Sequence, residues 1–63
     1  MLFSFVREKA AEDFIRFIAD EYELEVDLNA YLHVEVPSEE FEDEGALIKL
    51  HGEAERFGAN VLL

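Results

Sequence analysis

The sequence predicts an α+β fold, with two helices laid on one face of an antiparallel sheet, and three observations carry that reading. The spacing of apolar residues changes along the chain, from a short apolar run to a three-and-four repeat, then to strict alternation, then back to the repeat. Pro37 and Ser38 separate the alternating stretch from the second repeat. The 63 residues contain no cysteine, so packing alone must hold the fold, helped by self-association if it occurs.

Residues 2–6, Leu-Phe-Ser-Phe-Val, are apolar and rich in strand formers, and read as a strand. Residues 8–22 read as a helix. Ala11, Phe14, Ile15, Ile18 and Tyr22 fall at helical spacing, with Ala10 and Phe17 widening the stripe. Its other face carries Glu8, Glu12, Asp13, Arg16 and Asp20, and Glu12 and Arg16 stand four apart in the favourable order. From Leu24 to Val36 the period becomes two, with Leu24, Val26, Leu28, Ala30, Leu32, Val34 and Val36 on one face. A single strand of that length is unusual, so a hairpin turning near Asn29-Ala30 is expected. An odd loop keeps both apolar sets on one face. A three-residue loop sets Leu28 opposite Leu32 and Val26 opposite Val34; a five-residue loop satisfies the same requirement.

Pro37 ends the strand, Ser38 is placed to cap, and Glu39 and Glu40 suit the positive end of a helix dipole. Leu47, Leu50, Ala54 and Phe57 form the second stripe. Gly45 is expected to separate a first turn around Phe41 from a main body over 46–57, Gly52 to serve close packing, and Gly58 to terminate the helix. Asn60-Val-Leu-Leu63 reads as a last short strand. The order β-α-β-β-α-β over 1–63, as one domain, predicts a ferredoxin-like sandwich with a four-stranded antiparallel sheet in spatial order 4-1-3-2. A competing reading lets Ser4 cap a longer first helix, leaving only the hairpin and two helices.

Sixteen Asp and Glu against five Lys and Arg give a net charge of −11. Such a surface repels phosphates and anionic lipid, so direct nucleic-acid or membrane binding is not expected, and basic surfaces are the natural partner. The acidity also fits a role in solubility or in a salty cytoplasm. No apolar run is long enough to span a bilayer, and the start lacks the basic flank of a signal peptide, so a cytoplasmic protein is expected.

The chemistry-bearing residues are sparse. His33 and His51 are the only imidazoles, and no HxH, HxxxH or HExxH spacing occurs. Ser4 and Ser38 have strand and cap roles, Ser38–Glu44 lacks the alternation and glycine of a calcium loop, and the three glycines make no phosphate loop. No catalytic residue, metal site or cofactor is expected, and no carboxylate is expected on an apolar stripe. The sheet face left bare by the helices is expected to be apolar in the middle, where either Phe3 and Phe5 or Leu2 and Val6 point outward with Val61 or Leu62, and acidic toward the hairpin. On it Phe3 or Phe5, with Tyr31 and His33, would anchor a partner, and Glu23, Glu25, Asp27 and Glu35 would steer it. The expected role is therefore a small acidic protein-binding module or inhibitor that imitates nucleic acid charge. The alternatives are a ligand-binding regulatory domain, or a homodimer joined through the same open face, with acidity serving only solubility.

Overall fold

In the computed structural model, which describes residues 1–41 and 43–62, β1 (Leu2–Ser4) is the centre of a three-stranded antiparallel sheet. It lies between β2 (His33–Glu35) and β3 (Asn60–Leu62). Phe3 pairs with Val34 on one side and Val61 on the other, Leu2 with Glu35 and Leu62, and Ser4 with His33 and Asn60. The β1–β2 ladder runs one pair further, because Val36 N–H donates to the Met1 carbonyl at 2.7 Å and the Met1 amino group donates to Val36 O at 2.9 Å.

Helix α1 spans Glu8–Tyr22 and helix α2 spans Glu44–Arg56. Both pack on the face that carries Phe3, whose ring meets Phe14 of α1 at 5.3 Å and His51 of α2 at 6.0 Å. Phe3, Phe5, Ala11, Phe14, Ile18, Val34, Val36, Leu50, Ala54 and Ala59 form the buried core. Full burial of each large side chain contributes about 1.5–3 kcal/mol. The first helix is thus where the periodicity predicts it, and its buried residues Ala11, Phe14 and Ile18 are the centre of the predicted stripe. The pair formed along it is Lys9 Nζ–Asp13 Oδ1 at 3.7 Å, not Glu12–Arg16, and it is exposed enough to contribute only a few tenths of a kcal/mol.

The expected four-stranded, ferredoxin-like sheet is not what forms: three strands are present. Of the predicted hairpin, residues 33–35 become β2, while residues 24–28 make only a single bridge, Leu28 to Val34. That pairing encloses five residues, so the odd-loop requirement holds. Continuing the register would set Asp27 opposite Glu35 and Glu25 opposite Pro37. Like charges repel across a ladder, and proline has no N–H to donate. Both effects stop the strand after one bridge, although Leu24, Val26 and Leu28 still pack against the core.

The connecting loop is organised by Asn29. Its Oδ1 accepts from Tyr31 N–H at 2.9 Å and His33 N–H at 3.0 Å, while Leu32 takes a left-handed backbone at φ 60. Leu32 O then accepts from Phe5 N–H at 2.9 Å, extending pairing past the end of β1.

The second helix departs from expectation at its start. Ser38–Glu40 is a single 3-10 turn without a side-chain cap, and Gly45 does not mark a break, since it lies inside α2. Asp43 is the cap of α2, its Oδ1 accepting from Gly45 N–H at 3.0 Å. At the other end Gly58, at φ 88, donates to Glu55 O at 2.9 Å and Ala59 donates to Ala54 O at 3.0 Å. These two bonds make a Schellman turn, with Ala59 buried beneath it. Gly52 does not serve close packing: a Cβ there would meet nothing within 4 Å.

Candidate functional site

The charge of this chain is segregated. Residues 17–48 hold eleven of the sixteen carboxylates and none of the five Lys and Arg, whereas residues 1–16 and 49–63 hold five of each. The whole net charge of −11 therefore belongs to the middle segment. The described residues of that segment fold as the end of α1, the irregular 24–32 stretch with its turn at Asn29, β2, the 3-10 turn and the start of α2. Tyr22 and Phe41, with ring centroids 5.1 Å apart, draw the end of α1 to the region after the 3-10 turn. β2 is the outer strand on this side, and β3 is the outer strand on the other. The molecule thus has an acidic edge and an edge of balanced charge.

The acidic edge also has unpaired backbone. Leu24, Glu25 and Val26 make no backbone hydrogen bond to any described residue. Their side chains alternate: Leu24 and Val26 turn to the core, while Glu23, Glu25 and Asp27 are exposed. Glu23 is the left-handed residue that ends α1, at φ 54, and it turns the chain onto this edge.

The remaining residues expected at a partner site divide in two. Tyr31 is 79% exposed, its ring 6.2 Å from that of His33, and Glu35 is exposed on the sheet face away from the helices. Phe3 and Phe5, in contrast, are 0% and 4% exposed, and they anchor the core instead of a partner. β1 is the central strand, and its odd-numbered side chains must fill the space under both helices. Of the two possible facings, Leu2 and Ser4 point to the open side. That face is more polar than expected, since Leu2 and Leu62 are its only apolar side chains among the six paired positions, beside Ser4, His33, Glu35 and Asn60.

Sequence reasoning missed one polar contact near the core. Tyr22 donates its phenol to Glu53 Oε1 at 3.4 Å, and Glu53 Oε2 is buried with no hydrogen-bond partner among the described residues. Burial, followed by the Glu53 and Glu21 charges, raises the Tyr22 phenol above its ordinary value. The signal was available: Tyr22 ends the α1 stripe and Glu53 lies beside Leu50 and Ala54 on α2. His51 also lies against the core, its Nε2 2.9 Å from Met1 Sδ.

The edge can attract cations, accept hydrogen bonds through its carboxylates, and pair backbone with an added strand. Among the described residues no three His, Asp or Glu side chains converge to hold a metal ion, and no helix is long and apolar enough to cross a membrane. Comparison with protein-family models, curated proteins and solved structures finds no match to this chain.

Proposed function

We propose that this protein is a small acidic binding module that engages a basic protein surface, its carboxylates standing where nucleic acid phosphates would otherwise bind. One observation carries the reading: the net charge lies within residues 17–48, the segment that includes the outer strand β2 and the acidic stretch beside it, and residues 24–26 of that stretch make no backbone hydrogen bond to any described residue. A negative edge draws a basic partner by long-range attraction, and release of counterions from both surfaces favours the complex. Glu23, Glu25, Asp27 and Glu35 steer the encounter. Tyr31 supplies the anchoring contact, in place of Phe3 and Phe5, because it is the one large aromatic side chain that stands clear of the surface. The partner's chain can then add beside residues 24–26 as a strand. Self-association through the open face has less support. Its apolar part is one Leu2–Leu62 pair, and stacking two copies would bring Glu35 of each toward the other.

The test is capture from cell lysate at low and at high salt, comparing the native chain with a Glu23→Gln, Glu25→Gln, Asp27→Gln variant. A basic, nucleic-acid-binding protein should be held at low salt, displaced by duplex DNA, and lost in the variant. A complex that survives molar salt, or that the variant forms equally well, refutes the charge-imitation mechanism.

A further inference from the structure

The layer formed by the two helices carries a second feature that the acidic edge does not use. A cleft of about 690 Å³ is lined by Phe17 and Phe57, by Gly52, and by two cations, Lys49 and Arg56, set against two carboxylates, Glu21 and Glu53. Arg56 and Phe57 also line a neighbouring smaller cavity of about 300 Å³, together with Val6, Arg7, Ala10 and Gly58. The smaller cavity therefore contains two arginines from different elements and no carboxylate.

In a chain this acidic, arginines that pair with no carboxylate among the described residues need a reason. Among the described residues the one ion pair is Lys9–Asp13. Arg7 has Ala10 and Ala11 one turn further along α1, so helix spacing offers it no acid. Arg56 stands three residues after Glu53, and Lys49 stands four before it; both spacings normally produce pairs. Glu53 instead accepts from the Tyr22 phenol, so it lines the cleft beside Lys49 and Arg56 without forming an ion pair with either. Gly52 floors the same cleft. A glycine inside a helix costs about 1 kcal/mol relative to alanine, and here no neighbour requires it. Its lack of a side chain leaves open the space beside the two phenylalanines, whose rings lie against each other with centroids 5.5 Å apart.

We infer that this cleft is a binding site for a small aromatic monoanion, its carboxylate held by Arg7 and Arg56 and its ring lying on Phe57 and Phe17 over Gly52. Arginine's planar fork suits a carboxylate, and two forks from separate elements fix its position. The volume lies within the range of ordinary ligand sites. A single negative charge is specified because the acidic segment repels multiply charged ions, a repulsion that falls off over about 8 Å at physiological ionic strength. The inference does not rest on the proposed partner at the β2 edge, and either can fail alone.

The test titrates the isotopically labelled full chain with 2-naphthoate and with 2-naphthamide, which has the same shape without the charge, while the Gly52 and Gly58 amide signals are followed. Naphthoate should shift both signals saturably, and naphthamide should bind at least about tenfold more weakly, the loss expected for a charge-assisted hydrogen bond. Arg7→Gln and Arg56→Gln should each weaken naphthoate by a similar factor, with Arg7→Lys and Arg56→Lys recovering part of it. Gly52→Leu should block binding while leaving the fold's spectrum intact. Absence of a saturable shift with naphthoate overturns the inference. So do equal affinities for the two probes, or Arg→Gln variants that bind as the native chain does.

Discussion

Two glycines of this chain have the same empty surroundings and should respond to the same substitution with opposite signs. A Cβ at Gly52 or at Gly58 would meet nothing within 4 Å. Gly52 lies inside α2 with ordinary helical backbone, so Gly52→Ala removes the flexibility penalty of glycine without introducing a clash. The expected gain is about 0.8–1 kcal/mol, part of it from the less flexible unfolded chain. For a domain of this size that is a rise of about 4–8 °C in Tm. It also moves the urea midpoint up by about 1 M at an m-value near 1 kcal/mol/M, the low end for small proteins. Gly58 sits at φ 88, where an L side chain is strained. Gly58→Ala should lose about 1 kcal/mol, because a left-handed cost of about 1–2 kcal/mol outweighs the entropic gain. Urea melts of both variants beside the native chain read the two shifts together. If Gly52→Ala is neutral or destabilising, α2 is not a regular helix there or the cleft is closed in solution. If both variants shift the same way, the backbone argument is wrong.

Three further outcomes are expected. Because the phenol of Tyr22 is raised, its contribution to stability is present in full below about pH 10, the value for free tyrosine, and is lost as pH rises through the folded-state value. Absorbance titration at high pH should lose its later component in Tyr22→Phe; loss of an earlier component contradicts the placement against Glu53. Glu35→Lys should replace the repulsion facing Asp27 with attraction of about 0.2–1 kcal/mol, and protect the amides of residues 24–27 from exchange with solvent; unchanged exchange would mean that Pro37 alone ends the strand. Phe14→Ala removes a side chain at the centre of four ring contacts, with Phe3, Phe5, Phe17 and Phe57. Such truncations cost about 3–5 kcal/mol, against about 3–9 kcal/mol for a domain of this length. The variant should lose a third or more of the native stability and melt well below the native midpoint by circular dichroism, and a cooperative melt near the native midpoint would contradict the packing.

The helices were legible because their signal is repeated over many residues. The Ala11, Phe14, Ile18 stripe and the Leu50, Ala54 stripe are periodic, and Gly58 marks a stop by a backbone demand that glycine alone meets cheaply. The central place of the first strand followed from the order of the elements, and the parity of the loop around Asn29 from which faces must be buried. The missing strand was not legible from alternation, which residues 24–28 satisfy fully. What cancels it is a cross-strand relation, Asp27 to Glu35 and Glu25 to Pro37, that exists only once the register is known. The facing of Phe3 and Phe5 was undecided for a similar reason: a strand with apolar residues on both sides carries no instruction about which side the helices will cover. The segregation of charge, by contrast, was written plainly in the sequence, and a count by segment finds it.

The placement of β1 has a consequence for how the fold assembles. It precedes every other element described, yet one of its two ladders is with β3, reached only at Asn60–Leu62. The core strand stays unpaired on that side until this long-range contact closes, so the fold cannot be completed element by element in chain order. Once formed, β1 is clasped by both outer strands and covered by both helices. Its amides should therefore exchange with solvent only when the entire molecule opens, and their exchange rate reports the free energy of global unfolding.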